Sequence, residues 1–127
     1  MEFSADEFRQ LVTDLMPRGS TFKFTGGEPT LNPSLARDLA IAKSLGCTTF
    51  LDTNGSSPGI IRKLIQENLV DLFGISLKGL SAEEAVRRSG VNNRKLCWDN
   101  VLESIDFIAN RSSCDVIVTY VCYEDFS

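Results

Sequence analysis

Apolar positions recur along the chain at two spacings, and the spacings alternate. Phe8, Leu11, Val12, Leu15 and Met16 lie three and four apart, one face of a helix, behind the capping box Ser4-Ala5-Asp6-Glu7. Pro17-Arg18-Gly19-Ser20 stops that helix. Phe22 and Phe24 then alternate with Lys23 and Thr25, the period of a short strand. From about Pro33, with Asn32 as N-cap, Leu35, Leu39 and Ala42 return to helical spacing, and Gly46 ends the run. Thr48-Thr49-Phe50-Leu51 is β-branched and apolar, a second strand. Ser57-Pro58 opens a helix whose inner face holds Ile60, Ile61, Leu64, Ile65 and Leu69. Residues 70–77 make a third strand. Ser81-Ala82-Glu83-Glu84 is another capping box, whose acids complement the helix dipole, and Gly90 closes that short helix. From about Asn93 a longer helix is predicted, with Trp98, Val101, Leu102, Ile105 and Ile108 in the core. Residues 116–121 form a last strand.

Helix, then strand–helix three times, then strand, is the order of an α/β protein with a parallel sheet and right-handed crossovers. Such sheets place their sites at the C-terminal ends of the strands. Three polar loops fall there: Thr25 to Pro29, Asp52 to Gly55 and Ser76 to Gly79. Neighbouring strands lie about 4.8 Å apart, so the loops should line one cleft. Gly26, Gly27, Glu28, Asp52, Thr53, Asn54, Ser76 and Lys78 are therefore the candidate binding residues. Acids, hydroxyls and one amine suit a small zwitterion better than a polyphosphate. The phosphate-binding patterns G-x-x-x-x-G-K-[ST] and G-x-G-x-x-G are both absent. Two readings stay open: Gly26-Gly27 is either a ligand-facing turn or chain geometry, and Ser76 and Lys78 are either ligands or a strand-end hydroxyl and a solvated amine.

Composition narrows the chemistry. The 127 residues suit one domain with one core, at 43% hydrophobic and 24% charged residues. There is no histidine, which removes triads that use one and histidine metal sites. The net charge of −4, with scattered basic residues, argues against nucleic acid. The four cysteines, Cys47, Cys97, Cys114 and Cys122, are too far apart for a C-x-x-C pair. Cys47, at a strand start, and Cys122, late in a strand, read as packed thiols. No apolar run approaches the ~20 residues of a membrane span, so reduced thiols in the cytoplasm are the default.

Thr25-Gly26-Gly27-Glu28-Pro29 resembles the GGEP motif of radical S-adenosylmethionine (radical SAM) enzymes, which follows the second barrel strand. In that family backbone carbonyls of this segment hold the amino group of the methionine moiety. Leu51-Asp52-Thr53-Asn54-Gly55 resembles the D-T-N-G segment of glycyl-radical-enzyme activases such as those of pyruvate formate-lyase and anaerobic ribonucleotide reductase. Residues 70–78 are similar to their fourth strand, commonly ending D-x-K, with Lys78 matching and Ser76 in the aspartate's place. In the activases that aspartate, with the D-T pair, can hold a monovalent cation, so the cation site is not implied here. Ser76-Leu77 also resembles the S-L-D of molybdenum-cofactor and sulfatase-maturation relatives, whose serine binds the ribose.

The resemblance implies an incomplete (β/α) barrel of about four parallel strands with helices on the outer face. It implies a single domain over residues 1–127 that is the central fragment of a radical SAM core. The implied activity of the full-length protein is reductive cleavage of SAM, with a glycyl-radical enzyme as the partner. The C-x-x-x-C-x-x-C segment that holds the family's [4Fe–4S] cluster does not occur in the sequence. The expectation is therefore that the cluster belongs to the full-length protein, and that the piece alone binds no metal, is inactive, holds SAM only weakly and self-associates. Two other classes fit the alternation: a non-enzymatic flavodoxin-like domain, which lacks the acidic pair a phospho-receiver needs, and a phosphosugar-binding half-barrel, for which Lys78 would be the main cation.

Overall fold

The computed structural model describes residues 3–120. Along them run α1 (Ala5–Leu15), β1 (Thr21–Phe24), a 3-10 turn (Pro29–Leu31), α2 (Leu35–Ser44), β2 (Thr48–Thr53), α3 (Pro58–Gln66) and β3 (Leu72–Leu77). They are followed by α4 (Ala82–Ser89), a π-helical turn (Lys95–Asp99), α5 (Asn100–Arg111) and β4 (Asp115–Tyr120). The four strands form one parallel sheet in the order β1-β2-β3-β4. This is the α/β arrangement expected from the alternation, and it has the form of a partial (β/α) barrel. Val121 and Cys122, expected in the last strand, lie outside the described residues.

Period-two burial sets the two faces of the sheet apart. Thr49, Leu51 and Thr53 of β2, and Phe73 and Ile75 of β3, are buried toward the helices. Leu51, Phe73 and Ile75 pack with Leu35 and Leu39 of α2, Ile61 and Leu64 of α3, and Val101 and Ile108 of α5. A second cluster joins Phe8 and Val12 of α1 to Ile41, Ala42 and Cys47, with Phe22 and Phe24 of β1 against it. The Phe8 and Phe22 rings meet edge-on, centroids 5.6 Å apart.

The opposite face is more polar. Lys23 pairs in register with Phe50, and Asp52 with Gly74. The Lys23 ammonium lies 3.6 Å from Asp52 Oδ2 and 4.9 Å from the Phe50 centroid. A Cβ at Gly74 would stand 2.6 Å from Asp52 Oδ1 and 2.9 Å from the Phe50 ring, so only glycine admits both side chains.

The N-terminal end of the sheet is tied by Asp71. Its carboxylate accepts from Lys43 Nζ and from Thr49 N, both at 2.8 Å. Burial pushes its pKa up, but the hydrogen bonds from Lys43 and Thr49 outweigh this and hold it below the ordinary carboxylate value.

Several local expectations change. The Ser4–Glu7 capping box forms in both directions. At Ser81 only half forms: Glu84 N donates to Ser81 Oγ, while the Glu84 carboxylate accepts from Tyr120 OH at 3.1 Å. The N-cap of α2 is Ser34 rather than Asn32, whose Oδ1 instead accepts from Ser34 N at 2.9 Å. The helix expected from Asn93 onward is broken by the π-helical turn, and Trp98 is half-buried and Leu102 exposed rather than in the core.

Candidate functional site

The first polar loop owes its shape to Gly26, whose φ of +106° an L side chain adopts only under strain. The turn leaves Gly26 and Gly27 open, since a Cβ at either would meet nothing within 4 Å. Parallel register then sets Phe24 beside Leu51 and Asp52 beside Gly74, which aligns the three strand ends. Together they border an open cavity of about 170 Å³ lined by Thr25, Gly26, Gly27, Glu28, Asp52, Thr53, Asn54, Ser76 and Lys78. Every candidate residue named from the sequence lies on that one cavity.

Their side chains are not equally available. Glu28 Oε2 accepts from Thr30 N at 3.2 Å, from Thr30 Oγ1, and from Thr53 Oγ1 at 2.7 Å. Its Oε1 accepts from Asn54 N at 2.8 Å. The carboxylate therefore clamps the β1 loop to the end of β2. Thr53 Oγ1 also accepts from Gly55 N at 3.2 Å, and Asn54 Oδ1 accepts from Ser56 N at 2.9 Å. Asp52 keeps more freedom: one oxygen takes a long 3.4 Å hydrogen bond from Thr25 Oγ1 and faces Lys23. Lys78 is exposed and has no ion-pair partner among the described residues. One free ammonium, one lightly held carboxylate and open glycine backbone suit a zwitterion.

Helix α5 supports this loop from outside. Ser104, fully buried, donates to Gly55 O at 2.7 Å, and Asn100 Nδ2 donates to Ser56 O at 3.0 Å. Sequence reasoning missed both residues, and Thr30 as well. Ser104 had a signal, a hydroxyl between Val101 and Ile108 on an apolar face. Thr30 had none, because its role depends on where Glu28 points.

Asn54, Ser76 and Lys78 also border a second, larger cavity of about 340 Å³ that reaches to α4 and the π-helical turn.

The described thiols do not fit an iron–sulfur cluster. Cys47 is buried in the α1–α2 cluster, Cys97 lies in the π-helical turn, and Cys114 donates to Val70 O at the far end of the sheet. Burial raises the Cys114 pKa, which disfavours the thiolate a metal needs. No group of three or more metal-ligating side chains occurs among the described residues.

A parallel sheet with its polar loops gathered around one cavity at the strand C-termini defines an α/β domain of the partial-barrel kind. Comparison with known proteins supplies the family: the radical SAM superfamily model matches residues 1–125, and the chain belongs to that superfamily. Members use SAM and a [4Fe–4S] cluster. A Methanocaldococcus jannaschii protein named as a glycyl-radical enzyme activating enzyme is 40% identical over 55 residues, 42% of this chain and 23% of its own length. The Fe-coproporphyrin III synthase of Methanosarcina barkeri is 33% identical over 81 residues, 62% of this chain and 20% of its own length. The matched part thus spans less than a quarter of either relative. No helix among the described residues is long and apolar enough to cross a membrane.

Proposed function

We propose that the smaller cavity holds the methionine moiety of SAM, and that the chain is the central part of a longer, cytoplasmic radical SAM core. The convergence of Gly26, Gly27, Asp52, Ser76 and Lys78 on one cavity carries the reading. Open carbonyls at Gly26 and Gly27, with Asp52 nearby, would take the amino group. Lys78 would take the carboxylate, and Ser76 the ribose. Glu28, Thr53 and Asn54 would hold the loops in place through the hydrogen bonds already described. When bound, SAM would supply a 5′-deoxyadenosyl radical on reductive cleavage in the full-length protein. The electron source lies outside the residues described.

Within the superfamily we favour glycyl-radical activation, a glycyl-radical enzyme being the partner. The Asp52-Thr53-Asn54-Gly55 segment and the 40% identity to the archaeal relative support it. Ser76 in place of an acid, with the longer match to the coproporphyrin enzyme, supports a second reading in which the radical acts on a small molecule. A protein-based glycyl radical seen by electron paramagnetic resonance on a partner of the full-length protein would separate the two.

Saturation-transfer NMR or calorimetry with SAM on this chain tests the cavity. Binding in the millimolar range, about −4 kcal/mol, is expected. Gly27→Val should abolish it without loss of folding, since a Cβ at Gly27 meets nothing within 4 Å and Gly27 lines the cavity. Micromolar binding indifferent to Gly27→Val would overturn the assignment.

A further inference from the structure

Asn54-Gly55 sets an amide side chain beside an unhindered backbone nitrogen, and no other asparagine of the chain precedes a glycine. The fold itself demands the second member of the pair. Gly55 has a φ of +76°, and a Cβ there would stand 3.4 Å from both Ile75 Cγ2 and Val101 Cγ1. Asn54 is exposed to water, whereas Gly55 is buried and its N–H donates to Thr53 Oγ1 at 3.2 Å. Further hydrogen bonds hold both residues: Asn54 N donates to Glu28 Oε1, Ser56 N to Asn54 Oδ1, and Ser104 Oγ to Gly55 O. The closed loop thus keeps the Gly55 nitrogen occupied and the Asn54 amide turned toward residue 56.

We propose that Asn54 is a site of self-modification, converted to aspartyl and isoaspartyl forms whenever the β2–α3 loop opens, so that the residues holding the loop shut set the rate. Once free of Thr53, the Gly55 nitrogen gives its proton to hydroxide and attacks Asn54 Cγ. The N–Cγ bond forms, the Cγ–Nδ2 bond breaks, and Nδ2 leaves as ammonia after taking a proton from water. Water then opens the cyclic imide. Cleavage at Cγ gives aspartate, and cleavage at the backbone carbonyl carbon of residue 54 gives isoaspartate. The net change is loss of ammonia and gain of water, with no oxidation. Either product loosens the loop. Aspartate adds a carboxylate beside Asp52 and Glu28 on one cavity. Isoaspartate moves a methylene into the main chain, so the Glu28 bond to residue 54 and the Ser104 bond to Gly55 no longer fit one backbone.

Peptide mass spectrometry during incubation of the folded chain in mildly alkaline buffer should find Asn54 converting before any other asparagine. Its rate should be about 10-fold below that of the chain in urea, because local opening must come first. Thr53→Val and Ser104→Ala should each raise the rate in the folded chain about 10-fold and leave the rate in urea unchanged. Asn100→Ala removes only the bond to Ser56 O and should act in the same direction, which keeps the test decisive if Ser104→Ala does not fold. The converted chain, separated by its added charge, should lose amide-exchange protection at residues 54–56 while β3 keeps its own. Equal rates in the folded chain and in urea, or earlier conversion at Asn92 or Asn93, would overturn the proposal. So would an unchanged rate in Asn100→Ala, or unaltered exchange at residues 54–56 after conversion.

Discussion

Glu28 spends both carboxylate oxygens inside the chain, on Thr30, Thr53 and Asn54. Its first measurable effect should therefore be on stability. Glu28→Gln keeps the shape but turns an NH2 group toward a donor, either Asn54 N or the Thr53 and Thr30 hydroxyls. A loss of about 1–3 kcal/mol in urea unfolding is expected, and a change under 0.5 kcal/mol would show that the clamp is idle. That Glu28 lies at the strand-end cavity is legible in Gly-Gly-Glu-Pro; its clamp is not, because Thr53 arrives only through strand pairing. Asp71 is the counterpart at the other end of the sheet. Its pKa is lowered on folding, so its contribution is present above the unfolded value near 3.8 and is lost as pH falls through the lower folded one. With the side chain 40% exposed, the contribution should be at most about 1 kcal/mol. The stability gap between wild type and Asp71→Asn should stay constant above about pH 5 and close below about pH 4. A gap that widens on acidification would contradict this.

Among the elements, α5 couples the helix layer to the site. Asn100 and Ser104, four residues apart on one face, grip Ser56 O and Gly55 O of the β2–α3 loop. Ser104→Ala should cost about 1–3 kcal/mol and speed amide exchange at residues 54–56. Unchanged exchange there would mean that the loop is held by Glu28 alone. The strands and most of the inner faces of α1, α2, α3 and α5 could be read from periodicity, because burial on one face is what periodicity records; Leu15, Ile60 and Leu102 share the helical spacing but stand 66%, 40% and 40% exposed. The break at Lys95–Asp99 could not be read in this way. One extra residue in a turn rotates the stripe by about 100°, so Leu96, Cys97 and Trp98 no longer continue the line of Val101, Ser104 and Ile108. The resulting rotation puts Leu96 and Cys97 on a cavity wall instead of in the core.

Across the whole molecule the sheet order leaves β1 and β4 as its edges. On β4, Ile117 and Val118 are 50% and 41% exposed, an apolar edge that invites pairing. Sedimentation should show concentration-dependent species at twice the 14.0 kDa chain mass, reduced by Ile117→Lys. A monomer throughout would set the idea aside. The same topology orders assembly in time. Parallel neighbours cannot be joined by hairpins, so each pairing must first draw a long stretch of chain into a loop. Phe50 meets Leu72 after one helix, whereas Leu72 meets Asp115 only after nearly twice that length of chain. Each doubling adds about 0.6 kcal/mol of closure entropy, a small bias by itself. It favours early protection of β2 and β3 in pulse-labelled exchange, with β4 docking last. Every folding chain would then pass through a state in which β3, the strand carrying Gly74 and Ser76, is briefly the unguarded margin. During that interval a neighbouring chain's strand could compete with β4 for it, so yield should fall with concentration during refolding, before any native edge exists.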